Sequence, residues 1–241
     1  MTLPMEIKKC KRTGFFPAFL AGGITAAAFP IVNTAARPEM FVGQPLPAID
    51  ILLNANGQMM TTLNLCLAVI GACILYHTEF ADRAMQKMAS LPLHTGRIFW
   101  NKCVLLVLAL LGTLLIEAAA LLFCAWNWFP PQEHLLTQTL KAAEYAFALM
   151  LPSCVVLMLI SSQCRNMWIT LGTGVICIFT VSVLPTDSRV LSFFPFSLPF
   201  QTLAGAQDST WIFVTLAGCA AELFLAAAVS AVILKVRREY A

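Results

Sequence analysis

The sequence predicts an all-α integral membrane protein with six transmembrane helices and both termini in the cytoplasm, and three observations carry that prediction. First, 59% of the residues are hydrophobic and only 11% charged, with a mean hydropathy of +0.80, against about 45–50% apolar residues in soluble domains. Second, the apolar residues fall in six blocks, about 14–36, 59–76, 103–126, 142–162, 167–185 and 211–234, each near the roughly 20 residues that cross about 30 Å of hydrocarbon as a helix. Third, with both termini inside, the inner side collects Lys8, Lys9, Lys11, Arg12, Arg83, Lys87, Arg97, Lys102, Arg165, Lys235, Arg237 and Arg238, twelve of fifteen basic residues. Only Arg37, Lys141 and Arg189 fall outside, and short cytoplasmic loops are where Lys and Arg concentrate. The net charge of +3 therefore reflects topology rather than affinity for nucleic acid. Residues 1–241 read as one membrane domain without a soluble module or repeat.

Residues 3–12, LPMEIKKCKR, place Pro4 in a first helical turn and Leu3, Ile7 and Cys10 along one face. The expectation is an amphipathic interfacial helix on the inner leaflet, with a disordered basic tail as the alternative. The apolar run that follows exceeds the 7–15 or so residues of a signal-peptide core, so it reads as span 1. In that span Ala18, Gly22 and Ala26 recur every four residues, a ridge of small side chains suited either to a dimer contact or to packing within the subunit. Pro17 and Pro30 should bend it near each end. Two outer loops, 37–58 and 186–210, are unusually apolar. Phe193, Phe194, Phe196 and Phe200, interrupted by Pro195 and Pro199, suit either a re-entrant segment or an aromatic anchor at the interface.

The longest inner loop, HTEFADRAMQKMASLPLHTGRIFWNK at 77–102, joins spans 2 and 3. No proline or glycine interrupts Glu79 to Leu91, and Phe80, Ala84, Met88 and Leu91 share one helical face. Leu91-Pro92 ends the helix, because proline disfavours helical geometry in the residue before it. Two readings follow: a helix lying on the membrane surface, or a docking helix that fits a groove in a cytoplasmic partner.

Several negative observations bound the chemistry. The nine cysteines are odd in number and lie mostly within spans, which argues against a disulfide framework. There is no C-x-x-C, and His77, His94 and His134 all lie in loops, so a metal site is not expected. The spans also lack the Ser/His, paired-Asp or His-rich constellations of an intramembrane enzyme.

A Glu after span 2, a short helix, a Leu-Pro step and a Lys opening span 3, in a six-span chain with a basic N-terminal helix, resembles the permease subunits of ABC-2 type exporters. Within that superfamily KRTGFFPAFLAGG, YHTEFADRAMQKM and the chain length are most similar to permeases of lantibiotic self-immunity transporters. The resemblance implies that Glu79 to Leu91 is a coupling helix docking on a separate cytoplasmic ATPase. Glu79 would be its polar anchor, Arg83 and Lys87 contacts to the ATPase, and Phe80, Met88 and Leu91 the apolar face. It further implies a second permease subunit, as homodimer or sister chain, in a bacterial cytoplasmic membrane. No G-x-x-x-x-G-K-[ST] occurs in the chain, so ATP and Mg belong to the partner and this chain binds no cofactor and is not itself an enzyme.

Three acidic residues interrupt apolar sequence: Glu117 in span 3, Glu222 in span 6 and Glu144 near the outer end of span 4. A charge at mid-bilayer costs about 2.5–3.5 kcal/mol on insertion scales. Each acid is therefore expected to face protein or water, or to be protonated, either lining a path for a cationic amphipathic peptide or hydrogen-bonding a neighbouring helix as a neutral carboxyl. Thr113, Ser153, Thr170, Thr173 and Ser182 read as helix-packing hydrogen bonders. The function expected is export of an amphipathic peptide antibiotic, conferring immunity. The alternatives are another ABC-2 cargo (drug, lipid or polysaccharide) or an ion-coupled carrier using Glu117 and Glu222 as proton relays.

Overall fold

The structure, a computed structural model, describes residues 3–81, 95–164, 166–183, 194–205 and 209–239. Within them lie eight α-helices: α1 Leu3–Cys10, α2 Phe15–Ala36, α3 Pro38–Phe41, α4 Ala48–Ala81, α5 Thr95–Trp128, α6 Leu135–Gln163, α7 Met167–Val183 and α8 Ser209–Glu239. Two 3-10 turns, Leu198–Phe200 and Leu203–Gly205, lie between α7 and α8. Five helices are long and apolar enough to cross a membrane: Phe15–Ala36, Ala48–Phe80, Gly96–Trp128, Leu135–Gln163 and Thr210–Lys235. The block expected as span 5 forms α7, an apolar helix of 17 residues and so about 25 Å long.

Local chemistry sets the breaks. Gly14 turns the chain from α1 into α2 at φ 77°, a left-handed conformation that glycine adopts without a Cβ penalty. Pro38 occupies the first turn of α3, where its missing N–H is not needed. Pro130 and Pro131 separate α5 from α6.

α4 and α5 are longer than their apolar blocks, at 34 residues each, or about 51 Å. The expectation of an interfacial or re-entrant loop over 37–58 is corrected accordingly: residues 48–58 are the first turns of α4. Ile49, Ile51 and Leu52 are buried in one cluster with Leu121, Cys124 and Ala125 of α5, so these apolar residues pack on a neighbouring helix. The polar residues that made the segment look like a connector are used as well. Asn33 Nδ2 donates to Asn56 Oδ1 at 2.8 Å, and Asn56 Nδ2 donates to the Leu52 carbonyl at 3.0 Å.

α4 is the central element, packing against α2, α5, α6 and α7. Leu65, Ala68, Val69, Ala72 and Leu75 fill the main core with Phe15 and Phe19 of α2 and Leu106 and Leu110 of α5. At Gly71 a Cβ would meet Leu106 at 2.6 Å and Phe19 at 2.7 Å, so three helices converge on a position that has no room for a side chain. α8 is peripheral and packs on α6 and α5. It leaves Phe213, Phe224, Leu225 and Val232 exposed, an arrangement without penalty against lipid, whose tails are as apolar as those side chains.

The Ala18, Gly22 and Ala26 ridge, expected as a candidate dimer contact, is occupied within the chain. A Cβ on Gly22 would lie 2.4 Å from Leu67 of α4, Ala26 is fully buried and Ala18 is half-buried. Close approach of α2 to α4 accounts for the small residues.

Residues 194–205 fold inward rather than over the surface. Phe196, Ser197 and Leu198 are buried, both 3-10 turns pack against α4 and α6, and Ser153 Oγ of α6 donates to the Pro195 carbonyl at 2.5 Å. Over 194–205 the Phe/Pro segment thus packs on the helices of its own chain; residues 184–193 and 206–208 lie outside the described residues. Pro152 inside α6 cannot donate to the Ala148 carbonyl one turn back. Cys219 Sγ of α8 lies 3.2 Å from that oxygen, so a thiol from the neighbouring helix supplies the missing donor.

Candidate coupling cluster and intramembrane cavity

Two polar constellations interrupt the apolar bundle. The first joins α1, the end of α4 and the start of α5. Lys102 is 1% exposed, Glu6 0% and Glu79 2%. All three ammonium hydrogens of Lys102 have a partner: Glu6 Oε2 at 3.1 Å, Glu79 Oε1 at 3.1 Å and the Leu75 carbonyl at 2.8 Å. Lys102 also lies 5.6 Å from the centre of the Tyr76 ring. Lys9 closes the group, 2.9 Å from Glu79 Oε1 and 3.4 Å from Glu6 Oε1. Two ammonium and two carboxylate groups sum to zero, which is how buried charges are tolerated. Burial works to lower the Lys9 pKa, but the hydrogen bond to Glu79 and the two carboxylate charges outweigh it and hold the pKa above the ordinary 10.5. Burial pushes the adjacent Cys10 thiol up, which makes it a core residue rather than a nucleophile.

This cluster corrects two expectations. Glu79 does not open a separate loop helix or point outward as an anchor. It sits in the last turn of α4, with nothing to break the helix between Tyr76 and Ala81, and it faces Lys102. α1 forms as expected, but its Leu3, Ile7 and Cys10 face does not lie on lipid: Cys10 is buried, Ile7 packs on the main core, and Glu6 on the same side binds Lys102. Phe80 is half-buried against the core. Arg83, Lys87, Met88 and Leu91 lie outside the described residues.

The second constellation is a cavity of about 50 Å³ between α4, α5, α6 and residues 199–203, room for a few water-sized groups. Its polar lining is Thr61, Asn64, Glu117, Tyr145, Gln201 and Thr202. Glu117 is 3% exposed. Asn64 Nδ2 donates to Glu117 Oε2 at 3.0 Å, while Thr113 Oγ1 approaches Asn64 Oδ1 at 3.4 Å. Glu117 Oε1 is buried and has no partner among the described residues.

The other acids do not join it. Glu144 is exposed on α6. Glu222 on α8 has both oxygens buried without a hydrogen-bond partner among the described residues. Thr113 and Ser153 bond across to neighbouring elements, Thr170 is buried, and Ser182 bonds within its own helix. Sequence reasoning missed Glu6, Lys9, Asn64, Tyr145 and Gln201. The available signals were a lone acid in a basic N-terminal helix and an Asn amid the apolar residues of span 2. Among the described residues no group of three His, Cys, Asp or Glu could hold a metal.

A bundle of membrane-length helices carrying a neutral ionic knot and a polar intramembrane cavity defines a multi-pass membrane protein. The chain belongs to the ABC-2 family transporter proteins, whose family description matches residues 2–182, from α1 to the end of α7. No curated protein matches the chain, and no solved structure does. Members of the family normally work with an ATPase partner.

Proposed function

We propose that the chain is the permease subunit of an ATP-driven exporter that expels an amphipathic, cationic peptide antibiotic of the lantibiotic or bacteriocin kind and so confers immunity. Family membership supports the transporter class. The observation that carries the mechanism is the Glu6–Lys102–Glu79–Lys9 knot. It ties α1 and the end of α4 to the start of α5, at the two ends of the 79–102 segment expected to meet the ATPase.

A push on that segment would reach α4, the central helix, without dissipating in a flexible joint, because both ends of the segment are fastened to each other by buried ion pairs. In this reading six spans place both termini and the knot on the cytoplasmic side. A cytoplasmic ATPase supplies ATP and Mg and docks on the amphipathic stretch that includes Arg83, Lys87, Met88 and Leu91. A second permease subunit completes the path in a bacterial plasma membrane, and the chain itself catalyses no reaction.

An ion-coupled carrier gains less support. Among the described residues no hydrogen bond links Glu117 to Glu222, and Glu117 bonds Asn64 alone. The test of cargo is survival. Sensitive cells expressing the chain with its ATPase should tolerate cationic amphipathic peptides, and cells expressing Met88→Asp in its place should not. Unchanged sensitivity to such peptides, with tolerance instead to neutral drugs, would move the cargo to another class.

A further inference from the structure

We propose that the cavity at Glu117 is a hydration site, in which bound water accepts a hydrogen bond from a neutral Glu117 carboxyl and donates to the Tyr145 hydroxyl oxygen. The proposal takes the neutral-carboxyl alternative for Glu117 and is independent of the exporter reading.

Burial and charge set the state of the acid. Glu117 is 3% exposed, and the cavity lining contains no Lys, Arg or His. A buried carboxylate without a counter-charge costs far more than a neutral carboxyl, so the group keeps its proton. Asn64 Nδ2 donates to Oε2 at 3.0 Å, which makes Oε2 the accepting oxygen and leaves the proton on Oε1. That atom is buried and has no partner among the described residues. Its O–H therefore needs an acceptor.

Tyr145 of α6 lines the same cavity, and its hydroxyl oxygen is also buried without a partner at hydrogen-bond distance among the described residues. Thr215, which lies beside it, donates its own hydrogen to Gln201 Oε1 at 3.1 Å. Thr215 is left only as an acceptor, so the phenolic oxygen keeps its own accepting capacity. Glu117 and Tyr145 do not bond each other. A donor and an acceptor thus line one enclosed space, and water is the smallest molecule that answers both.

The space fits. The cavity holds about 50 Å³, where one water needs about 10–15 Å³ and two to four polar partners. Thr61 Oγ1 lines it as well and donates to the Pro199 carbonyl at 3.4 Å, leaving its lone pairs as a third partner. Cavities with wholly apolar walls stay dry, and this one has apolar walls only in part, including Met60, Leu114 and Met150. The water would tie α6, through Tyr145, to the α4–α5 pair that Asn64 and Glu117 already join.

The experiment is X-ray radiolysis of the purified full chain in detergent, which turns bound water into hydroxyl radicals where it sits, followed by mass spectrometry. Three buried methionines report. Met60 and Met150 line the cavity, while Met158 is buried in the main core away from its lining. The expected result is oxidation of Met60 and Met150 to the sulfoxide several-fold faster than of Met158. Ala146→Leu, which fills the cavity, should slow the first two to the rate of Met158. Glu117→Gln should leave them fast, because an amide nitrogen in place of Oε1 still donates to the water. Equal rates at all three methionines in the wild type would mean a dry or lipid-filled cavity and would overturn the proposal, and that comparison stands even if the leucine variant does not fold. Fast oxidation that persists unchanged in a folded Ala146→Leu would overturn it too.

Discussion

At the scale of single residues, the four charges of the ionic knot are placed where each meets an opposite charge. Lys102 lies inside the apolar run of α5, yet its three donors meet two carboxylates and a carbonyl. Removing only the ammonium would leave Lys9 alone to answer two buried carboxylates, Glu6 and Glu79. Lys102→Met should therefore destabilise the protein by about 3–5 kcal/mol, the range for breaking a buried pair from one side. Glu6→Gln on that background should restore part of the loss, because one uncompensated charge disappears. Denaturant unfolding in mild detergent, with the two single variants and the double, reads the coupling directly; additive effects would mean that the pair does not interact. The sequence revealed Lys102 as an unusual charge at the opening of a span. It could not reveal Glu6 as the partner, because 96 residues separate them and only the packing of α1 on α5 brings them together.

Helices are where sequence reading succeeded most and where its errors have clear causes. Apolar blocks located all five membrane-length helices, since burial in lipid and burial in the bundle both demand long apolar runs. The reading started span 2 too late, at residue 59 rather than Ala48, because Asn54, Asn56 and Gln58 interrupt the apolar run; Asn56 is in fact satisfied by Asn33 and its own helix. Small residues in α2 were legible as a close contact, but their partner was not, since a ridge fits a helix of its own chain or of another equally well.

The proline inside α6 gives this scale its prediction. If Pro152 frees the Ala148 carbonyl and Cys219 answers it, Cys219→Ala should cost about 0.5–1.5 kcal/mol, the net worth of one hydrogen bond. On a Pro152→Ala background, where the helix regains its own donor, the same substitution should cost little. A thermal double-mutant cycle checks this. Equal costs on both backgrounds would show that the thiol acts through packing alone.

For the molecule as a whole, the arrangement concentrates polar structure at two levels of an apolar bundle. The ionic knot joins the first described helix to both flanks of the 79–102 segment. The Glu117 cavity lies further along the same central helix, α4, which lines it through Thr61 and Asn64. A single element thus runs from the place where energy is proposed to enter to a polar cavity inside the bundle. Membrane class and permease family were legible from hydropathy, charge asymmetry and local resemblance. The cavity was not, because it is assembled from four segments, one of them a proline-broken stretch whose inward fold depends on contacts such as Ser153 to Pro195.

The central claim is that this chain receives its energy from a separate ATPase through the segment after α4. The most direct measurement is gentle affinity purification of the tagged chain with identification of what co-purifies, followed by ATP hydrolysis assays of the wild type, Met88→Asp and Glu79→Ala. The account predicts a stoichiometric ATPase with the wild type. It predicts loss of that subunit with Met88→Asp, and a retained but uncoupled ATPase with Glu79→Ala, whose effect is on the knot behind the docking segment. A chain that purifies without any ATPase, or one whose ATPase ignores both substitutions, would contradict it.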